Sequence, residues 1–224
     1  MDEDWTTGDH PRVRGESRWP MAAAVLGLSA LTVARPAELR FAPVWVLPAL
    51  ELGLLAILVV RDPGRIDRRS RALRVVSIGM VGLLVLDALL ATGNLVVLLI
   101  EGGELTNSAE GLLTAGVVVW VSNIVAFALL YWELDGGGSA ARAHGLPLTP
   151  DIAFPQQINP DLAPPGWRPQ FHDYLYLGLT SATAFSPTDA MPLAAWAKLA
   201  MSVESLISLT VLGLVVARAV NVLT

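Results

Sequence analysis

The sequence predicts an all-α protein: a polytopic membrane helical bundle of five to six spans whose last part is a helical hairpin. Three observations predict this class. Apolar residues make up 54% of the 224 residues and charged residues only 16%, and the mean hydropathy of +0.56 exceeds that of an ordinary soluble domain. Apolar runs of about 20 residues, long enough to cross a bilayer as helices, recur along the chain. The chain shows no strand-length alternation of polar and apolar residues, which argues against a membrane β-barrel.

Composition also excludes several kinds of site. The chain has no Cys, which excludes disulfides and thiolate metal sites. Its histidines, His10, His144 and His172, are too far apart in sequence for a metal-ligand motif, so we expect no metal and no cofactor. No basic tract suits nucleic acid. No catalytic signature is present, so the chain is not predicted to be an enzyme.

The first 18 residues form a polar tail ahead of the apolar part of the chain. A secretory signal would have a short basic start that runs directly into its apolar core, and this tail does not. The apolar segments lie at about 20–34, 43–60, 73–100, 111–132, 174–185 and 193–217. The first of them is short and would span only with thinning of the bilayer or help from its flanks.

The charges of the loops predict the orientation in a bacterial plasma membrane. The loop between the second and third segments holds six arginines: Arg61, Arg65, Arg68, Arg69, Arg71 and Arg74. By the positive-inside rule this loop is cytoplasmic, and because two spans precede it, the N-terminal tail is cytoplasmic too. The next loop carries only acidic charges, which suits the outer face. Residues 19–133 are therefore predicted to be a four-helix transmembrane region. The aromatic residues that are partly available as its interfacial anchors are Trp19, Trp45, Trp120, Tyr131 and Trp132.

Residues 134–171 form a loop rich in Pro and Gly without a helical period. Its Phe154-Pro155-Gln156 element and Trp167 suggest docking onto the membrane surface or onto the helix bundle. The alternative is a surface loop with a few buried aromatic residues. The triplet at 136–138 is interpreted as a helix stop and flexible joint.

Residues 172–224 form the hairpin: a half-length apolar segment, a polar bend and a full-length apolar helix. This layout resembles the pore module of potassium-type channels, in which a pore helix leads to a filter, a proline and the inner helix. Residues 182–189, ATAFSPTD, align without a gap to the channel pattern ATTVGYGD. The resemblance implies a pore-loop-like hairpin with these filter-like residues: Thr183, Ala184, Phe185, Ser186, Pro187, Thr188 and Asp189. The last hundred residues also resemble a group of uncharacterised bacterial integral-membrane proteins that share WxxDGG, FPQ and AFSPTDxMPL elements.

The bend departs from the potassium filter where that filter needs flexibility. Both glycines are replaced, by Ser186 and Thr188, and Pro187 fixes its own φ, so rings of inward-pointing carbonyls cannot form in the usual way. A ring of hydroxyls with Asp189 would instead suit a weakly selective cation path. The alternative is purely structural: Ser186 caps a helix, Pro187 occupies its first position, and Asp189 complements its dipole.

Polar residues inside the apolar segments are the remaining candidates, because each costs a few kcal/mol when it faces lipid. They are Asp87, Asn94, Asn123, Glu204, Ser205 and Ser208. Glu204, Ser205 and Ser208 share one face of the last helix. They would serve a proton or cation relay that involves Asp87 and Glu204, or hydrogen bonds that hold helices together.

Two functions follow from these expectations. The first is a channel-like pore with weak cation selectivity, which would be a homo-oligomer passing monovalent cations. The second is a non-transporting membrane scaffold whose bend and loop are packing devices. In both, the lipid bilayer is the surrounding partner. The charge rule favours six crossings, which place the bend outside the cell and Arg218 on the cytoplasmic side. The alternative is five crossings and a half-helix that enters from the cytoplasm, with the bend at membrane depth and Arg218 near the outer surface.

Overall fold

The computed structural model describes residues 15–66, 70–102, 107–144, 149–183 and 189–223. This part of the chain is mainly helical and contains two very short strands. The α-helices are α1 (Trp19–Ala34), α2 (Val46–Arg61), α3 (Arg71–Glu101), α4 (Ala109–Leu134), α5 (Ser139–Ala143), α6 (Pro155–Ile158), α7 (Phe171–Thr183) and α8 (Ala195–Leu223). The strands are β1 (Ile152–Ala153) and β2 (Met191–Pro192), and short 3-10 turns cover Ala37–Leu39, Asp135–Gly137 and Pro160–Leu162.

Three helical segments are long and apolar enough to cross a membrane. They are Arg71–Glu101, Ala109–Gly137 and Ala195–Asn221, with mean hydropathies of 2.4, 2.2 and 2.1 in their most apolar windows. Helices α1 and α2 have 16 residues each, which is below the usual length of a span. The all-helical class is confirmed, and the structure supports three membrane-crossing helices by length and composition.

Side-chain caps mark where helices α3 and α4 begin. Ser70 precedes α3 and accepts a hydrogen bond from Leu73 N at 3.5 Å, and Ser108 precedes α4 and accepts one from Gly111 N at 3.2 Å. Such caps satisfy N–H groups that have no partner within the helix. Helix α4 ends where Gly136 takes a positive φ of 57°, a conformation that glycine adopts without steric cost.

One end of the bundle collects Arg18 and several described arginines at or near the connection between α2 and α3. There Arg18 forms an ion pair with Asp62 at 2.9 Å, and Arg74 lies 3.9 Å from Glu133 at the end of α4. We call this the arginine-rich end, defined by Arg18, Arg61, Arg65 and Arg74. At the opposite end, Arg218 of α8 donates a hydrogen bond to Asn107 Oδ1 at 3.3 Å.

Part of the loop at 134–171 is folded against the bundle. Strand β1 pairs antiparallel with β2, with Ile152 opposite Pro192 and Ala153 opposite Met191. The buried Phe154 ring meets the rings of Trp167 and Tyr174 edge-on, at centroid distances of 6.2 and 5.2 Å. The FPQ element therefore docks onto the helices.

Helices α7 and α8 both begin at the arginine-rich end. Phe171 N, at the start of α7, donates to Glu16 at 2.6 Å, and β2, just before α8, is joined through β1 to the residue that follows α4. The two helices then lie side by side, and Ser205 of α8 donates to Ser181 O of α7 at 3.0 Å. Helix α7 has 13 residues, so it extends through only about 20 Å.

Candidate functional site

The carboxyl group of Glu204 is completely buried between α8, α4 and α7. Its side chain has 0% exposure, and its Oε2 accepts a hydrogen bond from the Tyr131 hydroxyl at 2.6 Å. Its Oε1 has no hydrogen-bond partner within the part of the chain that the structure describes. Burying a carboxyl with an unpaired oxygen is costly, so this group is unusual for a purely structural contact.

A glycine makes room for that carboxyl. Helix α7 passes so close to α4 at Gly178 that a Cβ there would lie 3.0 Å from Ile124 O and 3.3 Å from Glu204 Oε1. A larger residue at 178 would push α7 away from both neighbours. Gly178 therefore determines how closely the three helices meet around Glu204.

Serine hydroxyls line the same contact between helices. Ser208, one turn after Glu204 on the same face of α8, is buried, and so is Ser181 on α7. Among the described residues, neither hydroxyl oxygen has a hydrogen-bond partner. Ser205 differs, because its hydroxyl donates to Ser181 O. Polar atoms without partners thus concentrate on one side of Glu204.

Asn123 lies deeper in the bundle, about 12 Å along α4 from Tyr131. Its Nδ2 donates to Thr92 Oγ1 of α3 at 2.6 Å and to Val119 O at 3.1 Å. Its Oδ1 is buried and has no partner in the described ranges. Asn123 therefore joins α4 to α3 and also presents an acceptor to the interior.

Asp87 is held by an arginine that the sequence analysis did not single out. Arg35 follows the end of α1 and donates from Nη1 and Nη2 to the two oxygens of Asp87, at 2.9 and 2.8 Å. Thr32 adds a longer contact to Asp87 at 3.4 Å. Arg35 is 1% exposed, so this is a buried bidentate ion pair, the geometry that guanidinium and carboxylate prefer.

A second acid in this half of the bundle was also missed. Glu51 on α2 is fully buried and accepts a hydrogen bond from Ser29 of α1 at 2.6 Å. Glu51 interrupts an apolar helix, and that interruption was the available sequence signal. Arg35 was harder to find, because it lies outside the apolar segment and pairs with a residue 52 positions away.

The remaining predicted residues lie in other surroundings. Asp87 and Glu204 bond to different partners, Arg35 and Tyr131, so the structure does not join them directly. Asn94 is half-buried and donates to Glu38 O at 3.0 Å. Of the filter-like residues, Thr183 is half-buried and donates to Thr180 O, and Asp189 is exposed. The others lie outside the described residues: Ala184, Phe185, Ser186, Pro187 and Thr188.

Two predicted interfacial anchors are buried instead. Tyr131 has 0% and Trp132 1% exposure, so the prediction that they anchor the chain at the membrane surface is wrong for these two. The reason is their partners: the Tyr131 hydroxyl bonds to Glu204, and Trp132 Nε1 donates to Glu16 at 2.7 Å. Trp19 and Trp45 are each 67% exposed, as an anchor would be.

A second polar cluster closes the arginine-rich end around Asp135. This buried carboxylate accepts hydrogen bonds from the backbone of Asp151 and Ile152 at 2.9 and 3.0 Å and from the Tyr174 hydroxyl at 2.6 Å. Arg142 donates to Asp135 O at 2.6 Å and lies over the Tyr174 ring at 5.1 Å. Asp135 thus fastens the loop and α7 to the end of α4.

Glu16 ties the N-terminal segment to this cluster. It accepts hydrogen bonds from Trp132 and Phe171 and lies 3.6 Å from Arg142. Burial raises the pKa of Glu16 above its ordinary value, while the charge of Arg142 and the hydrogen bonds oppose that rise. Among the described residues, no group of three or more His, Asp or Glu side chains is arranged to hold a metal ion.

No family model matches the chain, and no significant similarity to a curated protein or to a solved structure is found. The resemblances to the potassium-type pore module and to the bacterial membrane proteins with the AFSPTDxMPL element therefore stay expectations from the sequence.

Proposed function

We propose that the protein is a multi-pass plasma-membrane protein that moves protons or other monovalent cations across the bilayer. The observation that carries this proposal is the buried Glu204 carboxyl, whose second oxygen has no partner among the described residues. Ionisable groups at membrane depth are rare and commonly serve ion or proton pathways. The proposal makes Glu204 the group that accepts and releases the ion.

The proposed topology has five crossings and a half-helix, with the N-terminus in the cytoplasm. Support comes from the shared starting end of α7 and α8: Phe171 contacts Glu16, and β2 pairs with β1 beside Asp135. Helix α7 would enter from the cytoplasm without crossing the bilayer, and α8 would cross outward, as in a pore-loop hairpin. Arg218 would then lie near the outer face. This arrangement replaces the six crossings that the charge rule favoured.

The proposed path runs within one chain. Glu204 faces α4 and α7 of its own chain, so an oligomer axis is not needed to surround it. Towards the opposite end, Ser208 and Asn123 follow, each with a polar atom that has no partner among the described residues. The Arg35–Asp87 pair lies on α3 about 7.5 Å before Thr92, the residue that Asn123 contacts. As a net-neutral pair it would provide a fixed dipole beside the path.

The buried geometry favours protons over hydrated cations. Glu204 has no exposed surface, and a cation that kept its water shell would need space around the carboxyl. A proton needs only hydrogen-bonding groups or transient water between successive sites. Passage of potassium or sodium would be weak and would require the helices to separate at Gly178.

Flux through purified full-length protein in liposomes tests the proposal. A potassium gradient with valinomycin sets the voltage, an internal pH dye reports protons, and a parallel assay without valinomycin reports cation leak. We expect proton flux above that of empty vesicles, and at least a tenfold loss in Glu204→Gln. The matched control is Glu110→Gln, the same change at an exposed residue, and it should leave the flux unchanged. Equal flux in both variants would refute the role of Glu204.

A scaffold function is the second candidate, and one observation favours it. The Asp87 carboxylate is fully paired by Arg35 and Thr32, as a packing contact between helices would be. Flux indistinguishable from empty vesicles, in protein whose folding is verified by a cooperative thermal transition, would favour the scaffold. Asp189→Asn tests a third possibility, a path through the filter-like bend. A loss of flux in this variant would favour that path.

A further inference from the structure

A cavity of about 470 Å³ opens at the arginine-rich end between α2, α3, α4 and α5. Its volume falls within the range of small-molecule sites. Its wall combines apolar side chains with charged and hydroxyl groups, including Arg74, Glu133 and Ser139. None of the polar groups proposed for ion passage lines it, so it is a separate site.

Arg74 is the cation in this cavity that is least engaged by the protein. Its side chain is 40% exposed, and its Nη1 lies 3.9 Å from Glu133 Oε1, close to the limit of an ion pair. Nη1 also donates to Gly137 O. Among the described residues both contacts use Nη1, so the Nε and Nη2 donors remain for a ligand. Ser77 donates to the other oxygen, Glu133 Oε2, at 2.7 Å.

Arg18, the other cation of the cavity, is engaged fully. It donates to the backbone and side chain of Asp62, both at 2.9 Å, and its side chain is only 6% exposed. The charge of Arg18 is therefore neutralised within the protein. Arg74 is left as the group that can form new ionic hydrogen bonds.

The backbone at Gly138 is shaped around Arg74. Gly138 has a φ of 92°, and a Cβ at this position would collide with Arg74 Nη1 and come within 2.9 Å of Glu133 O. Only glycine fits this conformation and this approach. The sequence at 136–138 therefore serves a purpose beyond ending α4, because it admits the guanidinium to the cavity.

We infer that this cavity binds the phosphate group of an amphiphile, with Arg74 on the phosphate and the apolar wall on the rest of the molecule. Arginine forms bidentate hydrogen bonds with phosphate oxygens. Leu58, Leu73 and Ala140 supply apolar surface. Basic pockets between helices on the cytoplasmic side of membrane proteins suit anionic lipid headgroups. A phospholipid supplies this chemistry, and so does a soluble phosphate monoester.

Native mass spectrometry of the purified, delipidated full-length protein tests the inference. The probes are dioctanoyl phosphatidylglycerol, dioctanoyl phosphatidylcholine and glycerol 3-phosphate. We expect one phosphatidylglycerol bound per chain at the lowest concentrations, with phosphatidylcholine at least fivefold weaker. Tighter binding of glycerol 3-phosphate than of the lipid would overturn the inference of an amphiphile, because glycerol 3-phosphate has no apolar part for the cavity wall to contact.

The variants decide whether the cavity is the site. Arg74→Gln should weaken phosphatidylglycerol binding at least fivefold, and Arg74→Lys should weaken it less. Arg71→Gln makes the same change one turn earlier on α3, at an exposed residue outside the cavity, and should weaken binding less than twofold. Ala140→Leu fills the cavity without changing charge and should also reduce binding. Equal effects of Arg74→Gln and Arg71→Gln, or unchanged binding in Ala140→Leu, would overturn the inference.

Discussion

Removing Arg35 while leaving Asp87 in place should be among the most destabilising single changes in this chain. The two side chains are 2% and 6% exposed and their nearest ionic atoms are 2.8 Å apart. Arg35→Met keeps a long apolar side chain but leaves the Asp87 carboxylate buried, and among the described residues only Thr32 would still contact it, at 3.4 Å. An uncompensated buried charge costs about 3–5 kcal/mol, so we expect a loss of that size.

Changing both partners together should restore most of the loss. The double variant Arg35→Met with Asp87→Leu leaves no buried charge, and replacing a buried ion pair by apolar residues is often neutral or stabilising. The coupling energy from the double-mutant cycle should therefore exceed about 2 kcal/mol. An exposed ion pair would give only about 0.2–1 kcal/mol, so the cycle distinguishes a buried pair from a solvated one.

The assay is reversible unfolding in mixed micelles, with the free energy of unfolding obtained as the fraction of SDS is raised. Arg71→Met is the matched control at an exposed position and should change the free energy of unfolding by less than about 0.5 kcal/mol. A coupling energy below about 1 kcal/mol would refute the buried-pair reasoning. So would a double variant that is as unstable as the sum of its two single variants.

Two further predictions concern packing and pH. Gly178→Ala should lower the free energy of unfolding by about 1–3 kcal/mol, because its Cβ would lie 3.0 Å from Ile124 O. The control is Gly213→Ala, whose Cβ would have no atom within 4 Å and which should leave the free energy of unfolding unchanged. Equal losses in the two variants would contradict this account. Glu16 has a pKa raised above its ordinary 4.5, so the folded state binds its proton more tightly than the unfolded state. The stability that protonated Glu16 adds to the folded state is therefore fully present below about pH 4.5 and is lost as the pH rises through the raised pKa. Thermal unfolding measured at increasing pH should show this fall in stability in the unchanged protein and in Glu110→Gln, but not in Glu16→Gln. A fall that persists in Glu16→Gln would contradict the assignment.

The class of this fold follows from the sequence because hydrophobicity alone specifies it. Long apolar runs require helices in a bilayer, where every backbone polar group must be satisfied within its own segment. The same reasoning makes a polar residue inside such a run conspicuous, and Asp87, Asn123 and Glu204 are all buried in the structure. What the apolar pattern does not contain is the identity of their partners.

Those partners depend on contacts between residues far apart in sequence. Tyr131 and Glu204 are 73 positions apart, and aromatic residues near a helix end are common at membrane surfaces, so sequence alone favoured an anchor. The pairing of β1 with β2 involves two residues on each strand, which is too short for an alternating pattern to show. The end of the bundle at which α8 begins depends on that pairing, and the end at which α7 begins depends on the contact of Phe171 with Glu16. For this reason the sequence alone leaves the number of crossings open.

Helix α4 brings the two proposed sites close together without making them one site. Tyr131 bonds to Glu204 inside the bundle, whereas the next residue, Trp132, lines the cavity that contains Arg74. Successive side chains on a helix point about 100° apart, so neighbouring residues serve different surroundings. A local change at Arg74 therefore leaves the Tyr131–Glu204 hydrogen bond intact. Lipid binding and ion flux are thus separable properties, and the failure of either proposal would leave the other standing.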